Sequence, residues 1–277
     1  MDRLLLAFLL TCVSILTGCS QSIQTPKSSV YEFAATPSWQ DEFNYSGKPD
    51  ATKWGYALGD DGWGNNELEN YTDKIENAQV ENGNLIITVI KEKSGKQNYS
   101  SARLVTKGKG DFLYGKFEIR AKLPTGLGTW PAIWMLFSEN NYGNHGWPDN
   151  GEIDIMEHVG FDQDRVHGNI HTKAFNHVIH TNKGNNVLVT NASTAFHVYS
   201  CEWTPETVTI LVDGNAYFKF EKQPGYQWAE WPFDKPFHLI LNIAVGGNWG
   251  GQKGLDDSIF PQKMEVDYVR VYPLVTR

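Results

Sequence analysis

Gly151-Glu152-Ile153-Asp154-Ile155-Met156-Glu157-His158 alternates acidic and apolar residues from Glu152 through Ile155. A period of two is that of a β-strand, so Glu152 and Asp154 share one face while Ile153 and Ile155 line the other. Strict alternation then places Met156, not Glu157, on the acidic face. One extra residue must be absorbed if Glu157 is to join the other two acids, and a β-bulge at Ile155-Met156 does this. Two carboxyl groups facing one another across a scissile glycosidic bond are the minimum equipment of a glycosidase: an ionised nucleophile and a protonated acid, roughly 5–5.5 Å apart when configuration is retained. A third acid between them helps to hold their protonation states apart, because like charges at that range resist ionising together. Taken alone, the same spacing also suits an edge strand made acidic for solubility, or an oxygen cage for a cation.

Working outward, the rest of the chain reads as strands. Asn84–Ile90, Gly115–Ala121, Phe196–Trp203, Val208–Val212, Phe237–Ile243 and Glu265–Tyr272 are β-branched or aromatic, often alternating, and bounded by Gly, Asn, Asp or Pro. No long segment carries a 3.6-residue period. Many short strands over more than two hundred residues predict an all-β sandwich or jelly roll and not an α/β fold.

Composition narrows the function. Of 277 residues, 13% are aromatic, including 10 Trp, and 20% are charged, which supports a large globular core. The net charge is −8, with no Lys/Arg cluster of the kind that tracks phosphates, so nucleic acid is excluded as a partner class and polyanionic polysaccharide is disfavoured.

At the N-terminus, residues 1–19 hold a short apolar run followed by Leu16-Thr17-Gly18-Cys19. This reads as an export signal ending in a lipobox, with Cys19 as the acylated residue and the chain exported and lipid-anchored to a bacterial membrane. Residues 20–35, rich in Ser, Gln, Thr and Pro, read as a tether, and 36–277 as one catalytic domain, expected to be monomeric. Cys12 lies in the leader, which leaves Cys201 alone in the mature domain, in an alternating run that predicts a buried strand thiol.

The acidic strand, preceded by Trp130-Pro131-Ala132-Ile133-Trp134-Met135-Leu136, resembles glycoside hydrolase family 16 in its laminarinase-like, endo-β-1,3-glucanase branch. The resemblance extends to Trp63-Gly64-Asn65-Asn66-Glu67-Leu68 with Tyr71, Ser101-Ala102-Arg103-Leu104, Gly246-Gly247-Asn248-Trp249-Gly250-Gly251, and Pro261 to Tyr272. Lichenase-like members carry the acidic strand without the extra Met, so Met156 favours the bulged branch. The resemblance implies a concanavalin-like jelly roll with a concave-sheet cleft, and retaining endo-hydrolysis of β-1,3-glucan with mixed β-1,3/1,4-glucan left open. It implies Glu152 as nucleophile, Asp154 as modulator and Glu157 as acid/base, with no cofactor for catalysis. Three other readings stay open: a non-catalytic carbohydrate-binding protein, a galactan-cleaving relative and a transglycosylase.

The same resemblance places Trp130, Trp134, His171 and Trp249 along the cleft and gives Asn66 and Arg103 as donors to sugar hydroxyls. His167 and His171 have the i, i+4 spacing of a helical zinc site, but the segment reads as a strand and no Glu lies between them, which argues against zinc. Asp267, with backbone carbonyls near Glu42 and Gly83, is the set that would hold one structural calcium in this family.

Overall fold

The computed structural model describes residues 31–143 and 146–275. Two large sheets, of ten and eight strands among the described residues, stack as a sandwich. The predicted strands are present, several of them longer than the apolar runs that announced them. The run from Asn84 continues to Ser94 by pairing with Gln97–Ser101, and the last long strand begins at Gln262. Cys12 and Cys19 lie outside the described residues. Within the stretch read as tether, Glu32–Phe33 pairs with Leu274–Val275, so the ordered body already includes these residues.

Gly115–Lys122 shows how sequence sets the layers. Phe117, Ile119 and Ala121 point into the core, while Lys116, Glu118, Arg120 and Lys122 face out and form ion pairs on a solvated surface. Cys201 is fully buried on the neighbouring strand, and burial pushes its thiol well up. This is the inert thiol that the alternation predicted.

The eight-stranded sheet carries the site. Its order runs Lys183–Leu188, Arg165–His171, Glu152–His158, Thr129–Phe137, Phe237–Val245, Arg103–Val105 and Gly55–Tyr56, with Asp111–Phe112 as an eighth strand also paired with Phe237–Val245, all antiparallel. Phe237–Val245 is buried along its whole length. Phe237, Leu239, Leu241, Ile243 and Val245 enter the core cluster, leaving His238, Ile240, Asn242 and Ala244 as the floor of the outer face.

The bulge lies where alternation required it. Trp134 pairs with Asp154 and Ile133 with Met156, which leaves Ile155 as the extra residue; on the other side Asp154 opposes Asn169 and Glu157 opposes His167. Ile155 and Met156 are consecutive and both fully buried in the core. Burying two such side chains contributes on the order of 1.5–3 kcal/mol each, which stabilises the break in alternation. Gly168 faces the bulge, and a Cβ there would sit 2.8 Å from Tyr217 Oη and 3.0 Å from Ile210 Cγ2. Any larger residue would have to displace the packed sheet beneath the site.

Candidate active site

Beyond the bulge, Glu152, Asp154 and Glu157 emerge on one outer face. Asp154 is 3% exposed, and the Glu152 side chain keeps 15% of its exposure, enough for a ligand to reach it. His171, directly across from Glu152, places Nε2 3.3 Å from Asp154 Oδ2 and 3.8 Å from Glu152 Oε1. One ligating atom from each of these three residues lies within 4.8 Å of the others. Glu157 accepts from Trp130 Nε1 at 3.1 Å and from Asn169 Nδ2 at 3.0 Å.

Burial dominates the electrostatics. It pushes all three carboxyls up to about 8; the Asp154 charge adds to this at Glu152 and Glu157, whereas His171 opposes it at both. Arg103 further favours a charged Glu152, and the Trp130 and Asn169 donors favour a charged Glu157. Three acids in one desolvated patch cannot all ionise at neutral pH. They therefore share protons, which is the condition for one to attack while another donates.

That condition carries a stability cost. A carboxyl whose folded pKa is about 8, against 4.5 unperturbed, binds its proton more tightly in the folded state. Stability is then lost as pH rises through the window between those values. Glu152→Gln is expected to raise Tm at pH 8 by about 2–8 °C, from roughly 1–2 kcal/mol, and to change it little at pH 4. Calorimetry at the two pH values reads this, and a Tm that falls at pH 8 would contradict it.

Aromatic residues wall the acids. Trp130 meets Trp249 edge-on at 5.6 Å, and His167 meets Trp249 edge-on at 4.9 Å, all at the Glu157 end. At the other end Trp147 lies 6.0 Å from His171 and 5.2 Å from His177. Toward the strand Arg103–Val105, the Arg103 guanidinium is held between Trp63 at 4.4 Å and Trp134 at 4.7 Å, and Trp134 Nε1 donates to Asn242 Oδ1 at 2.8 Å. Asn66, in a left-handed conformation, donates to Asn248 Oδ1 at 2.8 Å on the exposed rim.

The sequence-predicted residues thus gather on one face, with Asn66 at its edge. Four residues of the site carry no assigned role in the sequence pattern: Asn169, Trp63, Asn242 and Trp147. Asn169 was detectable, since His167, Asn169 and His171 alternate along a strand. His167 is packed against Trp249, and its Nε2 makes no hydrogen bond among the described residues.

The calcium set lies elsewhere, on the ten-stranded sheet. The strand Gln262–Tyr272 pairs with Leu85–Val89 up to Val266 and with Trp39–Asp41 from Val269. Against Gly115–Lys122, Asp267 is a bulged extra residue. Asp267 therefore sits where the strand changes neighbours, with Glu42 just after one partner strand and Gly83 just before the other. Both Glu42 carboxylate oxygens are taken by Arg270, at 2.8 Å each, and Asp267 Oδ2 accepts from Arg120 at 2.5 Å. A hard cation there would have to rely on the second Asp267 oxygen and on backbone carbonyls.

The profile of Glycosyl hydrolases family 16 matches residues 65–270. The chain is 54% identical over 273 residues to a beta-glucanase of Rhodothermus marinus, covering 96% of this chain and 93% of that one. It superposes on the X-ray structure of the laminarinase from Rhodothermus marinus with a TM-score of 0.86 at 54% identity, over 89% of this chain and 99% of that one. It also superposes on SCLam, a non-specific endo-β-1,3(4)-glucanase, with a TM-score of 0.81 at 50% identity, over 88% and 95% of the two chains.

Proposed function

This chain belongs to glycosyl hydrolase family 16, and from that membership and the geometry of its acidic strand we propose that it is an endo-acting, retaining hydrolase of β-1,3-glucan that also accepts mixed β-1,3/1,4-glucan. The observation that carries the reading is the bulge at Ile155-Met156, which brings Glu157 onto the face of Glu152 and Asp154. Without it the strand would present two acids and bury the third.

In the first step the Glu152 carboxylate attacks the anomeric carbon as the glycosidic C–O bond breaks and Glu157 gives its proton to the departing oxygen. Trp130 and Asn169 then stabilise the Glu157 carboxylate left behind. In the second step Glu157 takes a proton from water, whose oxygen attacks the same carbon and releases Glu152. Asp154, between His171 and the two glutamates, buffers the charge of the pair. Aromatic side chains at both ends of the acids offer apolar faces to sugar rings on either side of the cleaved bond, which suits cutting within a chain.

A product profile tests the substrate. Laminarin should fall rapidly to oligosaccharides, lichenan should be cut, and agarose and carrageenan should stay intact. Release from either galactan with none from laminarin would overturn the reading.

Calcium at Asp267, with carbonyls of Glu42 and Gly83, is part of the proposal, supported by the strand junction at that point. Its role is to brace the ten-stranded sheet, away from the acids. At calcium about 100-fold above its Kd the ion stabilises by about 2.7 kcal/mol, so EGTA should lower Tm by roughly 5–10 °C. Identical melting in EGTA and in millimolar calcium would remove the ion from the account.

Export, acylation at Cys19 and a monomeric state complete the proposal. The first two rest on the Leu16-Thr17-Gly18-Cys19 run after an apolar segment.

A further inference from the structure

Beneath the Trp63–Arg103–Trp134 wall lie two buried acids that the reaction does not use. Glu67 is 6% exposed and Glu69 is fully buried, as is Tyr71 at 1% exposure. Glu67 accepts from Asn65 Nδ2 at 3.1 Å and from Tyr71 Oη at 3.2 Å. Tyr71 Oη in turn accepts from Asn242 Nδ2 at 2.9 Å, and Asn242 Oδ1 accepts from Trp134 Nε1. Tyr71 also packs edge-on against Trp63 at 5.3 Å. One phenol thus supports both indoles that clasp Arg103.

The direction of this chain is not free. A hydroxyl and an amide each donate and accept, so Tyr71 and Asn242 could run the chain either way. An ionised carboxylate only accepts. With Glu67 at its end, Tyr71 must donate outward and hence accept from the Asn242 amide N–H, which turns the Asn242 oxygen toward Trp134. Reversal would leave the Trp134 N–H facing another donor in a half-buried site.

We propose that Glu67 is a positioning residue: as an acceptor-only carboxylate it fixes the Tyr71–Asn242–Trp134 chain in one direction and so holds the Trp63–Arg103–Trp134 wall against the bound sugar. Glu69 lies beside Glu67. Its Oε2 accepts from the Val245 amide at 2.6 Å, and its other oxygen meets no donor among the described residues. Burial, and then the Glu67 charge, hold Glu69 protonated, so it can donate to Glu67.

This inference rests on the glucanase reading, and substitutions of nearly constant volume test it. Glu67→Gln sets an amide N–H donor against Asn65 or Tyr71, and Tyr71→Phe cuts the chain. Each should raise KM for laminarin about fivefold to tenfold, with kcat within about twofold of wild type, because the wall binds sugar without touching the reacting atoms. Glu69→Gln keeps a neutral donor and the acceptor for Val245, so it should stay within about twofold of wild type in both constants. Unchanged KM in Glu67→Gln and Tyr71→Phe, with the wild type active, would overturn the positioning role alone. So would a Glu69→Gln variant as impaired as Glu67→Gln. A wild type inactive on every glucan would overturn the functional reading and this inference with it. Should Glu67→Gln fold poorly, Tyr71→Phe, which keeps the packing against Trp63, decides the question.

Discussion

Glu152→Ala should lose at least about 10⁴-fold in kcat on laminarin while still binding it, because removing the nucleophile of a two-step displacement leaves only positioning and acid catalysis. The loss should be partly reversed by azide, a small anion that fits the space vacated by the carboxylate. The direction of attack makes the rescue diagnostic. Azide entering from the Glu152 side inverts the anomeric carbon and gives an α-glycosyl azide from a β-glucan. A Glu152→Ala enzyme as fast as wild type, or one whose azide product is β, would remove Glu152 from the nucleophile's role.

Glu157→Ala should behave differently because it fails at another bond. On laminarin, whose leaving group is a sugar hydroxyl, the loss should be about 10³-fold, in line with general acid catalysis. On an aryl β-glycoside whose phenol leaves without a proton, the first step should run near the wild-type rate and the second should become limiting, giving a burst of phenol. Azide should then restore turnover and yield the β-glycosyl azide, since Glu152 still forms the covalent intermediate. An equal loss on both substrates, with no burst, would mean that Glu157 holds the strand and does not move the proton. Trp130 and Asn169 are its only hydrogen-bond donors among the described residues, and Asn169 takes no part in the aromatic walls, so changing Asn169 should shift the alkaline limb of the pH profile before it alters binding.

The fold was readable because its strands alternate and because the acids break that alternation at one place. Glu152-Ile153-Asp154-Ile155 gave a face, and Met156 gave the bulge, since two consecutive apolar residues before Glu157 have only the core to enter. Other features were hidden for identifiable reasons. Lys183–Leu188 is an exposed, mostly polar edge strand, held by pairing with Arg165–His171 and not by any apolar run of its own. Glu67 and Glu69 look like surface residues in sequence, because acids are seldom buried unless paired, and a pair formed through folding leaves no local signal. Arg103 was expected to meet sugar hydroxyls; its place between two indoles depends on Trp63 and Trp134, 40 residues before it and 31 after it in the chain.

The bulge has a consequence for how such a protein diversifies. Register along a strand changes in whole residues, and here it is shared by both neighbouring strands and guarded by Gly168 from below. No series of point substitutions moves Glu157 by a fraction of a step, so a library built from substitutions alone stays within this geometry however large it grows. Exploring the unbulged arrangement takes a deletion at Ile155 or Met156 made together with a refilled core, two changes of which neither helps without the other.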